Sequence, residues 1–140
     1  MEIKPKILVV DDNFSNILVV ERILESLDVE FIRAFSGEEA LQKADQHEFA
    51  LVLLDVQMPE IDGFKTAEIM RTDPKKEHLP IIFISAIYSR NYYHQKGLGV
   101  GAVDFITKPL VPQVFLGKVK IFLDLFTQRK ELEEKVEEIK

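Results

Sequence analysis

Short, uninterrupted apolar runs constrain the fold of this chain more than any other feature. Ile7-Leu8-Val9-Val10, Leu51-Val52-Leu53-Leu54 and Ile81-Ile82-Phe83-Ile84 leave no polar face. A strand with one wet face alternates polar and apolar residues. A continuously apolar one is covered on both sides, as in a parallel sheet held between helices. Two weaker runs, Phe31-Ile32-Arg33-Ala34 and Asp104-Phe105-Ile106-Thr107, complete a set of five.

The intervals between the runs read as helices. After Asp12-Asn13, residues Ile17, Val20, Ile23, Leu24 and Leu27 follow a 3.6-residue period. Ser36-Gly37-Glu38-Glu39 has the form of a capping box opening a helix through about Gln46. Phe64, Ala67, Ile69 and Met70 mark a third helix, which Pro74 is expected to end. A weaker fourth stretch covers about Ser89 to Lys96, and a fifth runs from about Val111 to the end. Strand and helix in fivefold alternation imply an α/β fold with a doubly wound parallel sheet and helices on both faces.

The chain has 140 residues, the size of one compact domain. It is 46% hydrophobic and 30% charged, enough for a buried core under a solvated surface. A net charge of −6 argues against direct nucleic-acid binding. With no cysteine, disulfides, thiolate zinc sites and cysteine nucleophiles are excluded. The N-terminal MEIKPKILVV lacks the features of a signal peptide, and no apolar run approaches the roughly 20 residues of a membrane span. The expectation is a soluble, cytoplasmic protein.

The last helix is longer than a βα unit needs. Its pattern continues into QRKELEEKVEEIK without a breaker. Phe122, Leu125, Leu132, Val136 and Ile139 keep a 3-4 spacing, with Arg129 at the missing position. This is a short coiled-coil signal, the alternative being a solvated charged tail. The expected division is a compact unit over 1–127 and a helical extension over 128–140, with attachment to a further domain left open.

Ligands of open α/β sheets bind at the carboxyl ends of the strands. There the runs end in Asp11-Asp12, in Asp55, in Ser85-Ala86 and in Thr107-Lys108-Pro109. An Asp after a strand is often only a helix cap, but three carboxylates, a hydroxyl and an ammonium on one edge are a different matter. Clustered carboxylates repel one another and favour a divalent cation. Few oxygen-only ligands suit Mg²⁺, which keeps waters and accepts phosphate oxygens. A carboxylate can then act as nucleophile and form an acyl phosphate, with Lys108 and Ser85 stabilising phosphoryl oxygens.

With these residues in view, the chain resembles the receiver domain of two-component response regulators, from about Lys6 to about Thr127. The resemblance is carried by Asp11-Asp12, by Asp55-Val56-Gln57-Met58-Pro59-Glu60-Ile61-Asp62-Gly63, by Ser85-Ala86 and by Asp104-Phe105-Ile106-Thr107-Lys108-Pro109. It implies a CheY-like, flavodoxin-like sheet of order 2-1-3-4-5. It implies Asp55 as phosphoacceptor, and Mg²⁺ held by Asp12, Asp55 and the backbone carbonyl of Gln57, with Asp11 acting through a metal-bound water. Lys108 would pair with Asp55 or its phosphate, and Ser85 would move inward on phosphorylation. Phe105 stands where the family has its aromatic switch, often Tyr, and would turn into the space Ser85 vacates. The Lys108-Pro109 bond is expected to be cis.

The implied activity is a phosphorelay switch, not an enzyme turning over a metabolite. A histidine kinase or phosphotransfer protein would donate the phosphoryl group. The output would pass through a face formed by the fourth helical stretch, the fifth strand and the last helix, or through a homodimer of the last helix. Two other functions compete. One is a phosphatase of the dehalogenase type, which would need D-x-D where this chain has adjacent Asp11-Asp12. The other is an interaction module that takes no phosphate.

Some positions stay open. Gln57 and Ile87 either tune phosphoryl lifetime or are ordinary loop residues. Tyr92, Tyr93 and His94 either form a partner surface or pack on the sheet. Pro59 and Gly63 are read as turn geometry. Gly97-Leu98-Gly99-Val100-Gly101-Ala102 mimics a dinucleotide fingerprint but precedes a strand instead of following one. His47, His78 and His94 lack metal-ligand spacing and are read as surface residues.

Overall fold

The computed structural model describes residues 4–86 and 104–139. The elements are β1 (Lys6–Val10), α1 (Phe14–Ile23), β2 (Glu30–Ala34), α2 (Gly37–Gln46), β3 (Leu51–Asp55), α3 (Gly63–Met70), β4 (Ile81–Ser85), β5 (Asp104–Thr107) and α4 (Pro112–Ile139). The expected fourth helical stretch, with Ile87, Tyr92, Tyr93, His94 and the glycine-rich segment, lies outside the described residues.

The five strands form one parallel sheet in the order β2-β1-β3-β4-β5. Successive side chains of a strand point to opposite faces, and here both faces are covered. Ile7, Val9, Leu51, Leu53, Ile82 and Ile84 pack with Ile17 and Val20 of α1, with Leu24 just after it, and with Phe115, Val119 and Leu123 of α4. Leu8, Val10, Val52, Leu54, Ile81 and Phe83 pack with Ala40 and Ala44 of α2 and Phe64, Ala67 and Met70 of α3. This double burial is why β3 and β4 tolerate no exposed position. Each fully buried Leu, Ile or Val contributes about 1.5–3 kcal/mol.

The caps are those the sequence carries. Asn13 Oδ1 accepts from the backbone N–H of Ser15 at 2.9 Å and opens α1. Ser36 Oγ accepts from the N–H of Glu39 at 3.0 Å and opens α2. Asp62 Oδ1 accepts from Lys65 N–H at 2.8 Å and opens α3.

Two helices end earlier than their periodicity suggests. α1 stops at Ile23, yet Leu24 is buried and Leu27 packs on the same core from the turn that follows. The apolar rhythm therefore outlasts the helix. α3 stops at Met70, well before Pro74, which instead opens a 3-10 turn over Pro74–Lys76. Thr72 Oγ1 donates to Ile69 O at 2.6 Å and so satisfies a carbonyl in the last turn of α3, while Arg71 Nη1 donates to Lys76 O at 2.6 Å and holds the end of the 3-10 turn against the end of the helix.

The long last helix is present as one continuous element of 28 residues. Its expected seam is shifted, because Phe122 packs against the chain's own core and not on the open side. Beyond Phe126, Lys130 is tied to Glu48 in the α2–β3 connection and lies 5.7 Å from the Phe126 ring. No helix among the described residues is long and apolar enough to cross a membrane.

Candidate functional site

Strand register brings the polar strand ends to one edge. Asp55 is opposite Ile84, and Ser85 is opposite Thr107. The backbone N–H of Asp11 donates to Ala34 O at 3.1 Å, which fixes the turn where β1 gives way to α1. Val56 N–H donates to Ile84 O at 3.1 Å and Lys108 N–H to Ser85 O at 2.8 Å, so the loops after β3 and β5 are both anchored to β4.

Asp11, Asp12 and Asp55 each offer a carboxylate oxygen, and the three oxygens lie within 4.8 Å of one another. Among the described residues this is the group of side chains able to hold a metal ion. Lys108 Nζ stands 3.5 Å from Asp11 Oδ2 and 3.9 Å from Asp55 Oδ1. The Lys108–Pro109 peptide is cis. Ser85 is fully buried on the same edge.

Asp11 and Asp55 are both only 6% exposed, and the electrostatics follow from that burial. The Asp55 carboxyl is pushed up to about 6, first by loss of water and then by the negative charge of Asp11. Lys108 and the N–H of Gln57 oppose the shift, while Asp12 adds to it. Two buried like charges held together by tertiary structure store repulsion that a cation relieves. One ammonium against three carboxylates leaves a net formal charge of about −2. The all-oxygen donor set and its excess negative charge fit a hard divalent cation such as Mg²⁺.

The loop between β3 and α3 is folded tightly beneath the site. Gly63 N–H donates to Val56 O at 2.9 Å. A Cβ on Gly63 would stand 2.3 Å from the Asp55 carbonyl oxygen, so only glycine lets α3 begin this close to the site strand. Pro59 is followed by Glu60 at φ 68°, the left-handed position of the turn. Gln57 is exposed on this loop. Phe105 is half buried, its ring 5.2 Å from that of Phe83 and 6.0 Å from that of Phe64.

Two features were not evident in the sequence. Asn16 Nδ2 lies 3.4 Å from Asp11 Oδ1 and, with the N–H of Asn13 at 2.9 Å, orients that carboxylate. The only signal was a polar residue on the inner turn of α1. Beside the acids, a cleft of about 260 Å³ opens between Asn16 and Val19 of α1 and Lys108, Pro109 and Leu110. Of the histidines, His47 faces Lys6 Nζ at 3.2 Å and takes no part in the acidic group.

Residues 7–120 match the sequence model described as the response regulator receiver domain. The chain is 35% identical over 130 residues to the response regulator PleD of Caulobacter vibrioides, covering 89% of this chain and 28% of that one. It is 30% identical over 117 residues to the polar-differentiation response regulator DivK of Brucella ovis, covering 84% of this chain and 94% of the relative. The fold is similar to that of the chemotaxis protein CheY4 of Vibrio cholerae, with a TM-score of 0.79 at 30% identity, over 86% of this chain and 99% of that one.

Proposed function

The chain belongs to the response regulator receiver family of two-component signalling, and on that premise we propose that Asp55 is its phosphoacceptor and the acidic edge its reaction centre. The observation that carries this reading is the meeting of Asp11, Asp12 and Asp55 within 4.8 Å, with Lys108 at 3.9 Å from Asp55.

An Asp55 carboxylate oxygen attacks the phosphorus of a phosphohistidine on a histidine kinase or phosphotransfer protein. The P–N bond breaks, the imidazole leaves with its electron pair and takes a proton from solvent, and an acyl phosphate forms on Asp55. Asp12, Asp55 and the carbonyl of Gln57 would hold Mg²⁺, with Asp11 acting through water. Bound there, the ion supplies positive charge against the phosphoryl oxygens. Lys108 contributes charge from the other side, and Ser85 a hydroxyl donor to a phosphoryl oxygen. The work of the site is positioning and neutralisation.

The acyl phosphate draws Ser85 inward, and Phe105 follows toward the space it leaves. That shifts a pre-existing equilibrium of the surface around β5 and α4. Residues 1–127 act as the receiver, in the cytoplasm, and 128–140 as the element that carries the change onward, to a second copy or an attached domain. The chain's catalysis is confined to its own phosphorylation and dephosphorylation.

The test is incubation with Mg²⁺ and acetyl phosphate, followed by intact mass. The native chain gains one phosphoryl group; Asp55→Asn gains none, and neither does the native chain in EDTA. A folded, Mg²⁺-binding chain that gains no phosphate and releases none from the donor would favour the phosphate-independent module. Rapid release of phosphate would favour fast hydrolysis instead.

A further inference from the structure

The start of α1 is built around a carboxylate that lies outside the helix. Asn13 is the N-cap, and its side chain accepts from the N–H of Ser15 at 2.9 Å. Asn16 stands three residues on, where a capping box places Glu or Gln to accept from the backbone N–H of the cap. Here that N–H donates to Asp11 Oδ1 instead, at 2.9 Å. The Asn16 side chain acts in the opposite sense and donates to the same oxygen through Nδ2, at 3.4 Å. The amide is the donor because an ionised carboxylate can only accept.

Asp11 is thereby held from two sides. Oδ1 takes two N–H donors from the start of α1, and Oδ2 faces Lys108 Nζ at 3.5 Å. Lys108 also stands 3.9 Å from Asp55 Oδ1, so one ammonium is shared between two acids. Asp11 is buried and Asn16 half-buried, so water replaces a lost donor poorly. Without the Asn16 amide, Oδ1 keeps a single donor and the carboxylate is freer to turn toward Lys108. The ammonium then offsets the charge that Asp11 otherwise offers to a cation. Among the described residues, the Asn16 side chain bonds to Asp11 and not to Asp55 or Lys108.

We propose that Asn16 is a positioning residue: acting through Asp11, it sets the affinity of the acidic edge for Mg²⁺ and takes no part in the transfer itself. This rests on reading that edge as a Mg²⁺-dependent reaction centre, advanced above, and adds a residue from outside the acidic set.

The whole chain is titrated with Mg²⁺ by calorimetry, without a phosphodonor. Asn16→Leu keeps the volume, removes the donor and weakens binding by roughly tenfold. Leu18→Ala, exposed on the same helix, leaves binding unchanged. With acetyl phosphate present, the Mg²⁺ concentration for half-maximal uptake rises by the same factor in Asn16→Leu, while the rate at saturating Mg²⁺ changes by less than about twofold. A lower limiting rate at an unchanged Mg²⁺ requirement overturns the proposal, because Asn16 would then act on the donor. So does an Asn16→Leu effect that is as large in an Asp11→Ala background as in the native one. A readout that needs no metal follows the Asn16 side-chain amide by NMR, its signals identified by their loss in Asn16→Leu. They shift in Asp11→Ala; signals that stay in place refute the contact. A chain whose Mg²⁺ affinity responds as expected but which takes no phosphate refutes only the phosphoacceptor. A native affinity untouched by Asn16→Leu refutes only the role of Asn16.

Discussion

Asp55 has lost nearly all contact with water and faces two other carboxylates, so its ionised form is disfavoured in the folded chain. Its folded value, about 6, lies above the ordinary 3.8. A proton is therefore held more tightly in the folded state. The stability this confers is complete below about 4 and is lost as pH rises through about 6. In metal-free protein, Asp55→Asn should raise stability at pH 7.5 by on the order of 2 kcal/mol and leave it unchanged near pH 3.5, as read by urea denaturation at each pH. Mg²⁺ should stabilise the native chain at pH 7.5 and do so less in the variant. A native chain indifferent to pH between 4 and 7 would contradict the burial argument. Gly63, the first residue of α3, poses a steric question against the end of the same strand. Gly63→Ala places a methyl 2.3 Å from the Asp55 carbonyl oxygen. It should cost about 2–3 kcal/mol and slow phosphoryl uptake, because the backbone that must yield carries the acceptor. A substitution that leaves both urea midpoint and uptake unchanged would show that the loop gives way freely.

At the scale of elements, local chemistry and tertiary packing divide the work. Ser36→Ala removes the cap that holds the N–H of Glu39 and should lower stability by about 1 kcal/mol without affecting phosphorylation, measured by thermal melting beside acetyl phosphate labelling. Phe126→Ala removes a buried ring at the point where α4 leaves the body and should cost about 3 kcal/mol. Strands were legible because the two-sided sheet writes a continuous apolar run into each central strand. β3 and β4 extend one residue beyond their runs, into Asp55 and Ser85, because register and not hydrophobicity sets their ends. Helix ends were less legible. Leu27 keeps the helical rhythm of α1 from outside the helix, and at the end of α3 the Thr72 hydroxyl takes the Ile69 carbonyl before Pro74 is reached. The face of α4 was legible only in part. Phe122 fits the open seam by spacing, yet the core claims it.

For the molecule as a whole, the sheet does the folding and the last helix reaches past it. Every described residue after Thr127 is exposed except Lys130, which is half buried. A chain ending at Thr127 should remain folded within about 1 kcal/mol of the full chain and take up phosphate at the same rate, since among the described contacts to the body it loses the partly exposed Lys130, with its ion pair to Glu48 and its approach to the Phe126 ring. Equilibrium denaturation of both chains tests this, and a collapse of the shorter one would make the extension part of the receiver core.

The class of fold and the identity of the acidic, hydroxyl and ammonium residues were determined by sequence alone, because periodicity and strand-end position are one-dimensional properties. Tertiary structure decided the rest. It set the 4.8 Å spacing of the three carboxylates and turned Asn16 onto Asp11. It required glycine at position 63 and settled which side of α4 is left open. Each of these depends on distances between segments remote in the chain, and those exist only after the sheet has aligned its strands and buried both faces.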